Sequence, residues 1–154
     1  MLYQFSKLNK RYQIRVLKQF KKEIGYNFSE LLYSYPNFMD WFKKVQQELF
    51  VNQNREIFFI INNNEIIGFS ILKKTDFEDK ICTLIVQKQF RNKGFSTILM
   101  KKSLEYLDDC AQITISEKCL EFFHPLLNNF NFQFEKKINN YSNLNRSEYY
   151  FKKE

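Results

Sequence analysis

The sequence predicts a mixed α/β fold in which helices flank a mixed sheet of about six to seven strands. Its 154 residues fit a single domain, 1–154, that is long enough to bury a core without disulfides or metals. Hydrophobic residues make up 44% of the chain and aromatic residues 18%, which excludes a disordered chain. Segments with helical and with alternating periodicity follow one another in the order α-α-β-β-β-α-β-α-β-β, which is typical of a mixed α/β layout.

The first predicted helix covers 9–24. Apolar residues recur at helical spacing along one of its faces: Tyr12, Val16, Phe20 and Ile24. Gly25 is expected to end this helix, because glycine readily adopts the left-handed conformation that follows many helices. A loop that holds Tyr33 and Tyr35 then leads to a second helix over 37–50.

The predicted strands are short runs rich in apolar residues. Two of them, 56–61 and 65–73, flank Asn62-Asn63-Asn64, and asparagine accepts the left-handed conformation of a tight hairpin turn. The other strands are predicted at 80–86, 112–116, 130–137 and 146–152, with a further short strand at 2–5.

Two more helices are predicted, over 94–107 and 117–128. The first is expected to pack one face on the sheet, with these residues directed inward: Phe95, Ile98, Leu99, Lys102 and Tyr106. The strand–helix–strand unit over 81–116 is expected to form a right-handed parallel crossover.

Charge and cysteine content limit the partners and the compartment. The chain has three cysteines, Cys82, Cys110 and Cys119, without a C-x-x-C spacing. This odd number and this spacing argue against a disulfide framework and a zinc site, so we expect no metal, and they favour a reducing cytoplasm. We find no apolar signal region and no membrane-spanning segment, so we expect a soluble protein. The net charge of +7 favours an anionic partner; nucleic acid is not favoured, because the basic residues are spread along the chain.

The segment Gln89-Phe-Arg-Asn-Lys-Gly-Phe-Ser-Thr97 lies between a predicted strand and a predicted helix. Gly94 suits a backbone that turns tightly or approaches a ligand closely. The unpaired N–H groups at a helix start bind phosphate well, and Arg91 and Lys93 add positive charge there. The spacings of a Walker loop and of a Rossmann G-x-G-x-x-G are absent. A basic turn that ends in glycine without a ligand is the structural alternative.

The chain resembles the GNAT (GCN5-related) N-acetyltransferases. Arg91-Asn-Lys-Gly-Phe-Ser96 is similar to their Arg/Gln-x-x-Gly-x-Gly/Ala signature, with Ser96 at a position usually held by Gly or Ala. Thr83-Leu-Ile-Val86 resembles their bulged central strand, and the order of elements matches that fold over nearly the whole chain. The resemblance implies a splayed pair of central strands.

The resemblance also implies acetyl-CoA as co-substrate. Backbone groups of Leu84 and Val86 would pair with the pantetheine arm, and an N–H near Leu84 would stabilise the oxyanion. The pyrophosphate would bind the side chain of Arg91 and the turn residues Asn92, Lys93, Gly94, Phe95, Ser96 and Thr97.

The catalytic acid and base are less defined. Many relatives carry a Tyr as general acid, where this chain has Phe122 or Phe123, which cannot donate a proton. Ser116, Glu117 and His124 are the candidate substitutes. Ser116 is alternatively a helix N-cap, Glu117 a solvated first-turn residue and His124 a surface residue.

The acceptor is expected to bind between the first two helices and the last two strands. Tyr33 and Tyr35 are candidate lining residues, and Glu148 is a candidate for binding a cationic amine. The resemblance therefore implies an N-acetyltransferase for a primary amine of a small molecule, protein or peptide. Two alternatives are a GNAT-type toxin that acetylates aminoacyl-tRNA and a non-catalytic acetyl-CoA-binding module. A homodimer is compatible with all three functions.

Overall fold

The computed structural model describes residues 1–108, 110–139 and 147–154, and in these ranges it contains seven strands and five α-helices. In chain order they are β1 (Leu2–Gln4), α1 (Lys10–Asn27), α2 (Ser29–Ser34), α3 (Phe38–Val51), β2 (Arg55–Asn62), β3 (Glu65–Lys74), β4 (Asp79–Val86), α4 (Phe95–Tyr106), β5 (Gln112–Ser116), α5 (Leu120–Asn129), β6 (Phe132–Ile138) and β7 (Glu148–Lys153). The mixed α/β class is confirmed. The first residue of the strand predicted over 146–152 lies outside the described residues.

All seven strands form one sheet in the order β1-β2-β3-β4-β5-β7-β6. Every neighbouring pair is antiparallel except β4 and β5, which are parallel. A parallel connection must cross the sheet, and α4 lies between these two strands in the chain as predicted.

The sheet separates two apolar cores. Helices α1, α2 and α3 cover one face, where the ring of Phe20 packs 5.9, 5.5 and 5.2 Å from the rings of Phe42, Phe59 and Phe69. Helices α4 and α5 cover the other face, where Leu99 and Met100 are fully buried. Two covered faces explain why β2 and β3 are nearly continuous apolar runs.

The predicted asparagine turn is present. Asn63 and Asn64 have φ angles of 49° and 63°, so both central residues of the β2–β3 hairpin are left-handed. Two such residues in succession give the turn whose twist matches that of the flanking strands.

The first helix does not end at Gly25. It continues to Asn27, and Phe28 still donates its N–H to the carbonyl of Ile24 at 3.3 Å. Phe28 is buried and its ring lies 5.0 Å from that of Phe69, and this burial outweighs the cost of about 1 kcal/mol for glycine inside a helix. Moreover, most of the expected loop is helix α2, which buries Leu31.

The inward face of α4 also differs from the prediction. Leu99, Met100 and Ser103 are buried, whereas Ile98 and Lys102 are exposed. The hydroxyl of Ser103 lies 2.8 Å from that of Ser70 in β3 and donates to the carbonyl of Leu99. Because serine is polar, a search for regularly spaced apolar residues does not place Ser103 on the buried face, and the predicted inward face of α4 was therefore wrong.

Substitution of Gly68 by alanine is expected to destabilise the protein. A Cβ there would lie 3.1 Å from the carbonyl oxygen of Ile85 and 3.3 Å from the side chain of Leu99, so the β4 backbone and the packing of Leu99 would have to adjust. We expect Gly68→Ala to lower the free energy of unfolding by about 1–3 kcal/mol in urea titrations. Gly25→Ala in α1 is the matched control; its Cβ would meet no atom within 4 Å apart from neighbouring backbone of the helix itself, and the substitution should raise stability by up to about 1 kcal/mol. Equal changes for both variants would contradict this account.

Candidate functional site

Strands β4 and β5 separate soon after they pair. Their parallel ladder contains only Lys80 opposite Gln112 and Ile81 opposite Ile113. Between Ile81 and Thr83 the register of β4 against β3 shifts, which leaves Cys82 as the extra residue of a bulge. A cavity of about 290 Å³ lies in the resulting gap, lined from both strands and from α2 and α5.

The backbone of β4 directs polar groups into this gap. Gln87 donates its N–H to the carbonyl of Ile67 at 2.8 Å, which makes Val86 and Gly68 a pair without mutual hydrogen bonds. Such pairs alternate along an antiparallel ladder, so Leu84 opposite Ser70 has the same orientation. Leu84 and Val86 therefore point their N–H and C=O groups away from β3, where β5 no longer pairs with them.

Two residues of the turn after β4 have a left-handed backbone conformation. Asn92 has a φ of 61° and Gly94 a φ of 88° directly before α4. No atom lies within 4 Å of a Cβ built on Gly94, so the conformation rather than space calls for glycine. A second cavity of about 220 Å³ is lined by Asn92, Gly94, Ser96 and Thr97, among others. The unpaired N–H groups at the start of α4 suit an anion there.

Arg91 connects this turn to the gap. Its Nε donates to the carbonyl oxygen of Val86 at 3.0 Å, and its Nη2 forms an ion pair with the carboxylate of Glu30 in α2. Its guanidinium carbon lies 5.2 Å from the ring centroid of Phe122. Arg91 lines both cavities, so its positive charge lies next to the gap and next to the turn.

The α1–α3 side of the gap contains a polar cluster. The hydroxyl of Tyr35 donates to the Glu148 carboxylate at 3.0 Å. Glu148 pairs with Ser116 across β7 and β5, so the two side chains share a face of the sheet. Tyr35 and Ser116 both line the cavity. One predicted catalytic residue and two predicted substrate residues are thus brought together.

The sequence matches the model of the acetyltransferase (GNAT) family over residues 18–123, which is more than half of the chain. The chain belongs to the GNAT acetyltransferase family. Membership supports acetyltransferase activity of the EC 2.3.1 type. A search of curated protein sequences gave no significant match.

Solved GNAT structures share the fold. A GNAT-family protein of Desulfovibrio desulfuricans is 10% identical with a TM-score of 0.64, over 77% of this chain and 82% of that chain. A GNAT acetyltransferase of Elizabethkingia anophelis with acetyl-CoA bound is 20% identical with a TM-score of 0.58, over 73% and 82%. NAA60 of Arabidopsis thaliana in complex with a bisubstrate analogue is 12% identical with a TM-score of 0.58, over 71% and 80%. At these identities the likeness confirms the predicted GNAT fold.

The three candidate catalytic residues lie in different places. Ser116 is buried at the end of β5 and lines the cavity between β4 and β5. It precedes a 3₁₀ turn at Glu117–Cys119, but its side chain makes no capping hydrogen bond. Glu117 is exposed and lines neither cavity. His124 is also exposed and outside both cavities, and its Nδ1 lies 3.0 Å from Nδ2 of Asn128. Placement therefore favours Ser116 among the three.

The candidate acceptor residues differ in exposure. The side chain of Tyr33 is exposed, and Nζ of Lys118 lies 5.0 Å from its ring centroid. Tyr35 is half-buried and lines the cavity. Glu148 is 0% exposed and is not among the lining residues, so it reaches an acceptor only through the groups in front of it.

Several cavity residues had no sequence signal. Glu30 lies 61 residues from its partner Arg91, a separation that no local pattern detects. Phe122 and Phe123, by contrast, stood out in the sequence as the residues at the expected tyrosine position, and both line the cavity. Lys118 and Thr114 also line it. In the described ranges, His, Cys, Asp and Glu side chains form no group that could hold a metal ion, and no helix there is long and apolar enough to cross a membrane.

Cys82 is expected to react slowly although it lines the cavity. Burial raises the pKa of its thiol, an effect that exceeds the opposing influence of Arg55 and Lys80. A raised pKa leaves less thiolate at any given pH, and the thiolate is the reactive form. We expect iodoacetamide at pH 7 to alkylate Cys82 more slowly than the exposed Cys110, as followed by peptide mass spectrometry. Equal labelling rates would contradict this assignment.

Proposed function

We propose that this GNAT protein is an N-acetyltransferase that binds acetyl-CoA between β4 and β5 and transfers the acetyl group directly to a primary amine. The observation that carries the proposal is the edge of β4. Leu84 and Val86 direct backbone groups that β5 leaves unused into the gap, and of these the Val86 carbonyl accepts from Arg91. The same strand leads into the left-handed turn at Asn92 and Gly94. A ligand that carries peptide-like amides at one end and a pyrophosphate at the other fits this site, because the amides can pair with the β4 edge and the pyrophosphate can bind the turn.

Each part of acetyl-CoA has a proposed partner. The pantetheine amides extend the β4 edge at Leu84 and Val86 in place of the missing β5 ladder. The pyrophosphate binds the N–H groups of the turn with the Arg91 and Lys93 side chains nearby; the turn residues are Asn92, Lys93, Gly94, Phe95, Ser96 and Thr97. Support comes from the cavity that Arg91, Asn92, Gly94, Phe95, Ser96 and Thr97 help to line.

Direct transfer requires positioning, stabilisation of the oxyanion and movement of protons. The backbone N–H of Leu84 faces the gap and is the proposed donor to the thioester oxygen. Ser116 is the proposed hydrogen-bond donor near the sulfur, since Phe122 and Phe123 provide no proton. Tyr33, Tyr35 and Glu148 are proposed to form the acceptor side, where acidic and phenolic groups suit an amine.

The phenylalanines also support a second candidate function. A protein without the family's tyrosine acid can retain acetyl-CoA binding and lose transfer, which would make the chain a binding module. Calorimetry with acetyl-CoA, combined with a thiol assay for CoA release, separates the two. The acceptor panel is spermidine, benzylamine, a peptide with a free amino terminus and an N-terminally blocked peptide with one lysine. Release above the acetyl-CoA hydrolysis rate supports the enzyme, binding without release supports the module, and no binding at high micromolar protein contradicts both.

Removal of the Arg91 charge is expected to weaken cofactor binding. A charge-assisted hydrogen bond is worth about 1.5–3 kcal/mol, so Arg91→Gln should raise the Kd for acetyl-CoA by about 10- to 150-fold in calorimetry. Glutamine avoids the repulsion that a glutamate would meet from Glu30. Arg11→Gln, at an exposed position in α1, is the matched control for a lost surface charge and should leave the Kd unchanged. An unchanged Kd for Arg91→Gln would argue against the pyrophosphate assignment.

Removal of the Glu30 charge is expected to have the opposite effect. Glu30 competes with a bound phosphate for the Arg91 guanidinium, and the pair lies at the surface, with side chains 49% and 21% exposed. Exposed ion pairs contribute at most about 1 kcal/mol, so Glu30→Gln should lower the Kd for acetyl-CoA by up to about fivefold in the same titration. Weaker binding by Glu30→Gln would show that the ion pair supports the cofactor site rather than competing with it.

A further inference from the structure

We propose that the Tyr35–Glu148 pair removes the proton from the acceptor amine, with Tyr35 in contact with the amine and Glu148 holding the proton behind it. The inference rests on the proposed acetyl transfer and adds the proton acceptor that this reaction needs. Tyr35 acts as a catalytic residue, and Glu148 acts through it as a positioning residue. The juxtaposition that carries the inference is a buried carboxylate bonded to a phenol that lines the cavity.

Tyr35 is fixed at the junction of α2 and α3. Its N–H donates to the carbonyl of Leu31 at 2.8 Å, and its own carbonyl accepts from the N–H of Phe38 at 2.9 Å. Both of its main-chain groups are therefore bonded, and Pro36 disfavours the helical conformation for the residue before it, in keeping with the φ of −133° and ψ of 85° at Tyr35. The phenol consequently faces the cavity on one side and the carboxylate, at 3.0 Å, on the other.

Glu148 lies behind Tyr35 as seen from the cavity. It is fully buried at the first position of β7, beside Ser116 of β5, and it does not line the cavity. A carboxylate that accepts a hydrogen bond from Tyr35 can receive the phenol proton along that bond. A proton from the cavity thus reaches Glu148 through a single intervening group.

The transfer balances through this pair. The amine nitrogen forms a bond to the acetyl carbon, the carbon–sulfur bond breaks, and CoA leaves as a thiolate. The surplus proton of the nitrogen passes to the oxygen of Tyr35 while the phenol proton passes to Glu148, which becomes a neutral carboxylic acid. Glu148 then returns its proton through Tyr35, and the thiolate takes up this proton directly or through a water molecule in the cavity, which restores the carboxylate.

Kinetics distinguish this role from binding of a cationic amine by Glu148. Loss of a binding charge raises KM for the amine, whereas loss of the proton acceptor lowers kcat. Glu148→Gln keeps the size of the side chain and an oxygen that accepts from Tyr35, but it cannot take up a proton at neutral pH. Glu148→Asp keeps the carboxylate on a shorter side chain, and Tyr35→Phe removes the intervening hydroxyl.

The test measures kcat and KM with whichever of spermidine, benzylamine and the two peptides the unmodified protein acetylates fastest. Glu148→Gln and Tyr35→Phe are each expected to lower kcat on the order of 100-fold, with the amine KM within about threefold and the acetyl-CoA Kd unchanged. Glu148→Asp is expected to recover part of the lost rate. Tyr12→Phe, at an exposed position in α1, is the matched control and should keep the full rate.

The outcomes separate the two proposals. Normal kcat in both Glu148→Gln and Tyr35→Phe, or a raised KM at normal kcat, overturns the proton transfer and leaves the acetyltransferase intact. Absence of turnover by the unmodified protein with every amine overturns both. If Glu148→Gln loses acetyl-CoA binding or fails to fold, Tyr35→Phe decides alone, because it removes the hydroxyl that carries the proton and leaves the Glu148 carboxylate in place.

Discussion

The loss of hydrogen bonding between β4 and β5 beyond Ile81 is the constraint on which the candidate site depends. Two parallel strands that continued to pair would leave no gap, and the backbone groups of Leu84 and Val86 would be used within the sheet. The bulge at Cys82 bends β4 at this point. Arg55, held 3.1 Å from Glu48, donates to the sulfur of Cys82 at 3.3 Å and so supports the bulge from the α1–α3 side.

Helix α2 is the element that joins the two halves of the site. It carries the partner of Arg91, the ring beside Lys118 and, at its end, the partner of Glu148. The first contact reaches the turn after β4, and the other two reach residues that follow β5 or begin β7. The proposed cofactor site and the proposed acceptor site are therefore linked by one short helix.

Local chemistry was sufficient to predict much of this protein. Glycine and asparagine accept positive φ angles, and the structure has positive φ at Gly94 and at Asn63 and Asn64, where the sequence predicted turns. The prediction failed where distant contacts decide the outcome. Burial of Phe28 against Phe69 carries α1 past Gly25, and the serine contact between β3 and α4 sets the face of α4. The ion pair of Glu30 and the burial of Glu148 depend on tertiary placement and have no local pattern.

The most direct test of the account is hydrogen exchange of individual β4 amides, measured by NMR with and without acetyl-CoA. The amides of Leu84 and Val86 face the gap, whereas that of Ile85 faces β3. We predict that Leu84 and Val86 exchange rapidly in the free protein and become protected at saturating acetyl-CoA, while Ile85 is protected in both states. Unchanged exchange at Leu84 and Val86, with protection appearing elsewhere, would contradict the proposed binding of pantetheine along the open edge of β4.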